Sequence, residues 1–184
     1  MSRLIIIACG RSGTYYTAKV LRRAGLDFGH EKLGADGGIG WVMTLPGYRH
    51  RWKPDDTILH QIREPWACIS SMLTHNQKLW KQAATVVGPF SARFRRIKAA
   101  EYYVRHNCLC AELAEWTYRV EDFIPATIET AKLFAVVGAT QGGFTWPARD
   151  LNHRRHTILG PTDYTDRPDL LAQIADLSKR FGYG

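Results

Sequence analysis

The chain has 184 residues, of which 45% are apolar and 23% charged, and a net charge of +8; this is the make-up of a globular protein with a substantial core. No apolar run approaches the ~20 residues that span a bilayer, and the short N-terminal run is not a signal peptide, so one domain over residues 1–184, kept in the cytoplasm, is expected. The charge favours an anionic partner, and by itself leaves nucleic acid, an acidic membrane surface and a phosphorylated cofactor open.

In chain order, Leu4-Ile-Ile-Ile-Ala8 does not alternate with polar residues, so a strand over 3–9 buried on both faces is expected. Gly10 and Gly13 interrupt it, and a helical pattern follows over 14–25. A strand, a tight glycine turn and a helix place free N–H groups at a positive helix N-terminus, which is an anion site and most often a phosphate site. Gly10-Arg-Ser-Gly-Thr14 adds the Arg11 guanidinium and the Ser12 and Thr14 hydroxyls. The nucleoside-triphosphatase pattern G-x-x-x-x-G-K-[ST] is absent, because Thr14 rather than Lys follows Gly13. With the usual magnesium arrangement missing, no metal is expected.

A strand over 26–30 ends in Asp27-Phe-Gly-His-Glu31, and a glycine-rich loop, Gly34 to Gly40, comes next. Residues 32–53 are expected as a mobile lid, an acceptor-binding loop or a surface turn with Trp41 tucked into the core. A third strand over 57–62 leads into Arg63-Glu-Pro65, and Pro65 suits the first turn of a helix reaching about His75. A polar region with Gly88-Pro89 separates it from a long helix over 91–114. The basic residues Arg93, Arg95, Arg96, Lys98 and Arg105 wrap more than one face of that helix, so a solvated exterior is expected rather than a nucleic-acid surface.

A fourth strand (115–120) and helices over 125–138 and 167–181 complete the pattern. Strands alternating with helices imply an α/β fold: a three-layer P-loop-type parallel sheet with helices on both faces. Ligands of such sheets lie beyond the carboxyl ends of the strands. The glycine loop, Arg63 and Glu121 each follow a strand directly, so all belong to one rim. Cys9, Cys68, Cys108 and Cys110 lack metal-ligand spacing and read as small core residues. His60, mid-strand, reads as structural.

Arg-Ser-Gly-Thr after the first strand, Arg63-Glu-Pro65 with Ser71 eight residues beyond the arginine, and Arg119-Val-Glu-Asp122 after a long helix occur in this order. Together they resemble the sulfotransferase family that uses 3′-phosphoadenosine 5′-phosphosulfate. The resemblance covers about residues 3–30, 57–75 and 103–123, with a fainter echo in Arg180-Phe-Gly-Tyr183. It implies that Gly10, Arg11, Ser12, Gly13 and Thr14 form the loop on the 5′-phosphosulfate, and that Arg63 and Ser71 hold the 3′-phosphate. Departures are Gly10 where the family has Pro, Tyr15 where it has a second Thr, and Glu64 where it has Asp or Asn.

The implied reaction moves a sulfuryl group to a hydroxyl or amine of a small-molecule or sugar acceptor, with Arg11 and the loop N–H groups stabilising charge on the leaving phosphate. The family draws its base, a His or a Glu, from this rim. Glu31 is preferred, with His30 as the alternative, because successive strand residues alternate in direction. Asn152-His-Arg-Arg-His156 is a further candidate for cations toward the cofactor. The alternatives are a P-loop nucleotide or small-molecule kinase and a catalytically inactive nucleotide-binding protein; nucleic acid is not an expected partner.

Overall fold

The computed structural model describes residues 2–149 and 156–183. Strands β1 (Leu4–Ala8), β2 (Phe28–His30), β3 (Gly37–Gly40), β4 (Thr57–Ile62) and β5 (Trp116–Arg119) form one sheet in the order β2-β3-β1-β4-β5. Every pairing is parallel. Every residue of the central strand β1 is buried, as an unbroken apolar run requires. The helices are α1 (Thr14–Arg23), α2 (Pro46–Arg49), α3 (Pro65–Met72), α4 (Gln77–Val87), α5 (Arg95–Leu113), α6 (Ile128–Val136) and α7 (Pro168–Arg180).

Alternation along β1 sorts the layers. Leu4 and Ile6 join Leu21 of α1, Leu59, Tyr118 and Phe134 of α6 in a cluster on one face. Ile5 and Ile7 face the other way, onto Met43 and Cys110. On that side α5 lies against β1 and β4, and α3, α4 and α7 pack around it through Ile69, Trp80, Tyr103 and Ile174. The three-layer parallel α/β architecture read from the sequence is therefore the one observed. Among the described residues, no helix is long and apolar enough to cross a membrane.

The expectation of a loop across Gly34 to Gly40 is corrected. Gly37–Gly40 is a buried strand lodged between β2 and β1. A Cβ on Gly37 would stand 1.9 Å from the Leu4 carbonyl oxygen, and its φ is +137°. Glycine is used here for close strand approach, not for mobility. Helix α4, read as a polar connection, is capped by Asn76, whose side chain accepts from the Leu79 N–H at 3.0 Å. The long helix starts at Arg95, later than expected; the Glu101 carboxylate takes the Ser91 N–H at 2.9 Å and holds that residue outside it.

Two buried histidines make the fold acid-sensitive. In His60, Nε2–H donates to Asn107 Oδ1 (3.0 Å) and Nδ1 accepts from the Thr117 hydroxyl (3.2 Å). In His106, Nε2 meets Thr44 Oγ1 at 2.9 Å. Burial holds both imidazoles neutral, with pKa values pushed down from 6.5 to about 4 for His60 and about 3 for His106. Below pH 6.5 the unfolded chain binds protons that the folded chain refuses, so stability falls with pH. Chemical denaturation should show a loss on the order of 3–5 kcal/mol between pH 7.5 and pH 4.5. His106→Gln should flatten that slope by about half; an equal slope in the variant would remove His106 from the account.

Candidate functional site

A cleft of about 550 Å³ opens at the carboxyl ends of the strands, within the range of small-molecule sites. Its walls include Gly10, Arg11, Gly13, Thr14, His30, Glu31, Arg63 and Ser71. These residues come from the turn after β1, α1, the end of β2, the end of β4 and α3, and the sheet order ranks them along the rim. His30 ends β2 and Glu31 and Trp41 follow β2 and β3 on one side, the glycine loop follows β1 in the middle, and Arg63 and Glu121 come after β4 and β5 on the other.

The loop between β1 and α1 is held from both sides. Gly13 is the residue before α1, with φ +79°, and a Cβ there would meet Val120 Cγ2 at 3.0 Å. The first turn of α1 leaves the Thr14 and Tyr15 N–H groups without intrahelical acceptors, at its positive end. Arg11 lies in the left-handed region at φ +71°, and its guanidinium donates to Thr74 Oγ1. Arg63 Nη1 donates to the Arg11 carbonyl at 3.0 Å, which brings the two sequence-nominated arginines together.

Glu64 does not pair with Arg63. Its carboxylate caps α3 by accepting from the N–H groups of Trp66 (3.0 Å) and Ala67 (2.6 Å). The acidic residue between Arg63 and Pro65 is therefore a helix cap, which leaves the Arg63 charge directed elsewhere. Ser71, on α3, borders the same cleft and is 7% exposed.

Ser12 behaves differently from its neighbours. It is fully buried, with Oγ 3.6 Å from Cys68 Sγ, and its N–H turns back to the Cys9 carbonyl at 3.2 Å. Its side chain does not line the cleft; it anchors the loop from beneath.

The other pole carries Glu31 and His30. Glu31 also has a left-handed backbone, at φ +54°. Its conformation is held by its N–H to the Ile39 carbonyl (2.9 Å) and by the Tyr48 hydroxyl on its own carbonyl (3.1 Å). Trp41 Nε1–H donates to Glu31 Oε1 at 3.1 Å. Among the described residues Arg11, Glu31 and Ala126 are the non-glycine residues with positive φ. Such backbone is costly and clusters at functional sites; Arg11 and Glu31 sit at this cleft. His30 Nε2 lies 3.0 Å from Thr14 Oγ1, and the Tyr15 ring meets the imidazole edge-on at 5.4 Å. Burial, with Arg22 adding to it and Glu31 opposing, lowers the His30 pKa.

Several contributors carry no sequence signal of their own. Gln61, fully buried in β4, accepts from Thr17 Oγ1 (2.6 Å) and the Tyr118 hydroxyl (2.7 Å) and donates to the Ser12 carbonyl at 2.6 Å. One amide thus ties the glycine loop to α1, β4 and β5. Gln61→Leu should destabilise the protein by about 2–4 kcal/mol, because it strands three buried polar partners; an unchanged denaturation midpoint would show that the loop does not depend on this amide. Arg149 borders the cleft beyond β5, donating to the carbonyls of Glu121 (3.0 Å) and Val120 (2.8 Å) while its guanidinium stacks 5.5 Å from the Tyr16 ring centroid. The nearest sequence hint of late cations was Asn152 to His156. Residues 152–155 lie outside the described residues, whereas His156 borders the cleft.

Glu121 accepts from the Glu64 N–H (3.0 Å) and the Tyr183 hydroxyl (2.7 Å). Those bonds join the turn after β5, the start of α3 and the C-terminal segment. No protein-family model matches the chain, and no curated protein matches it.

Proposed function

We propose that this cleft binds 3′-phosphoadenosine 5′-phosphosulfate and that the protein transfers its sulfuryl group to a hydroxyl or amine of a small-molecule or sugar acceptor. The observation that carries the reading is that two anion cradles, far apart in sequence, border one cleft and touch through the Arg63–Arg11 bond. The donor set suits a nucleotide phosphorylated at both ends. The first turn of α1, the Thr14 hydroxyl and Arg11 suit the 5′ end, and Arg63 with Ser71 suits the 3′-phosphate.

When bound, the nucleotide supplies the activated sulfuryl group. The chain's own part is to position the reactants and to set positive charge where the leaving phosphate becomes more anionic. Arg11, fixed by Thr74 and by its strained backbone, is the residue assigned to that charge. Glu31 is assigned to the acceptor proton: Trp41 occupies Oε1, and Oε2 is the oxygen assigned to accept the proton, which a base must meet at about 3 Å.

Thermal unfolding with adenosine 3′,5′-bisphosphate in the absence of magnesium tests this. Ligand at about 100 times its dissociation constant should add ~2.7 kcal/mol of stability. A response only to Mg-ATP would replace the reading with a kinase, and a response only to a DNA oligonucleotide would replace it with a nucleic-acid-binding protein. Stabilisation by the bisphosphate without turnover across a broad acceptor screen would leave an inactive nucleotide-binding protein.

A further inference from the structure

We infer that His30 is a positioning residue for the anion rather than the base: its Nε2–H donates to Thr14 Oγ1 and so directs the Thr14 hydroxyl proton at the bound phosphate group. The inference rests on the reading above and deepens it. A hydroxyl has one proton, while its oxygen accepts from other donors. At 3.0 Å the Thr14–His30 contact is a hydrogen bond with two possible polarities. Were Thr14 the donor, its proton would be held by the imidazole and its lone pairs would face the anion, a repulsive arrangement. With His30 donating, the proton is released toward the N-terminus of α1, where anions bind.

The surroundings support this polarity. Thr14 opens α1, so its hydroxyl lies beside the helix's unpaired N–H groups. His30 ends β2 in a half-buried position, flanked by the Tyr15 ring, Arg22 and Glu31. Burial, with Arg22 adding to it and Glu31 opposing, favours its neutral form; a neutral imidazole has one N–H, so it is the anion-facing Thr14 hydroxyl, not charge, that selects Nε2–H. The division of labour then follows from the contacts: His30, on Thr14, serves the anion side and Glu31, held by Trp41, the acceptor side.

The test combines spectroscopy with substitution. In protein carrying ¹⁵N-labelled histidine, long-range ¹H–¹⁵N correlation at pH 7.5 should show His30 as the neutral Nε2–H tautomer; the Nδ1–H tautomer would overturn the inference. Binding of adenosine 3′,5′-bisphosphate, measured by calorimetry, supplies the second readout. His30→Gln, whose amide N–H can replace Nε2–H, should bind within about threefold of the wild type. His30→Phe and Thr14→Val should each weaken binding roughly tenfold, the worth of a hydrogen bond to a charged group. The double variant should be no worse than either single one, since both remove one interaction. Additive losses, or a Gln variant as weak as the Phe variant, would overturn the inference. Wild-type protein that ignores the bisphosphate but binds inorganic pyrophosphate with the same order of variants would keep the inference and reject the nucleotide. Protein that binds neither would reject both.

Discussion

Arg63→Ala is expected to abolish most of the stabilisation that adenosine 3′,5′-bisphosphate confers. The side chain leaves the end of β4 toward the cleft, anchored by one bond from Nη1 to the Arg11 carbonyl at 3.0 Å. Its own carbonyl is held by the Tyr103 hydroxyl at 3.1 Å, so truncating the side chain does not release the backbone. The adjacent carboxylate is committed to the start of α3 and does not neutralise the guanidinium. Loss of a charged, fork-like contact to a phosphate should weaken binding about 50- to 100-fold. At a ligand concentration that gives the wild type ~2.7 kcal/mol, the variant should gain well under 1 kcal/mol. Each protein is compared with its own ligand-free melting curve, which separates binding from the loss of the Arg11 contact. Arg63→Lys should recover only part of the effect, because an ammonium is a point charge without the planar fork. Full stabilisation in Arg63→Ala would remove the second cradle, and with it the case for a doubly phosphorylated nucleotide.

Glu31→Gln should leave bisphosphate binding intact and lower sulfuryl transfer by about 10²–10⁴-fold. The substitution keeps the shape and the acceptor that Trp41 uses at 3.1 Å, but an amide cannot take up the acceptor's proton. Because Gln has the same backbone requirements as Glu, the left-handed conformation at φ +54° is equally costly before and after. A rate loss with unchanged affinity and unchanged melting temperature is the signature of a group that acts on the reacting atoms. Turnover equal to the wild type would move the base away from Glu31. The contrast with His30→Gln is informative, since that variant is expected to retain transfer.

How far the primary structure speaks differs from feature to feature. Leu4-Ile-Ile-Ile-Ala8 is apolar at every position, and such a strand has nowhere to go but the middle of a covered parallel sheet; β1 is there. Gly10-Arg-Ser-Gly-Thr14 and Arg63-Glu-Pro65 could be placed at strand ends from local pattern alone, and right-handed crossovers bring strand ends to one rim. By contrast, Gly37-Gly-Ile-Gly40 carries the composition of a loop, yet it is a strand. A backbone that approaches its neighbours that closely needs the side chains absent, and composition does not distinguish that need from flexibility.

Side-chain direction was beyond local reading. Ser12 and Thr14 look equivalent in the motif, but one points into the core against Cys68 and the other into the cleft against His30. Gln61 reads as an ordinary strand residue, and its role exists only because Ser12, 49 residues away, comes to lie beside it. Likewise Trp41 steadies Glu31, and Arg149 closes the far end of the cleft, through contacts that neither segment encodes alone. Local sequence determined the central strand, the turn after it and most of the helices, and the composition of the two turns proposed to bind anions, because those follow from near-neighbour sterics and hydrophobic period. The tertiary structure decided which groups face the cleft and which are fastened beneath it. Those outcomes depend on hydrogen bonds between distant segments, which exist only once the sheet has brought the segments together.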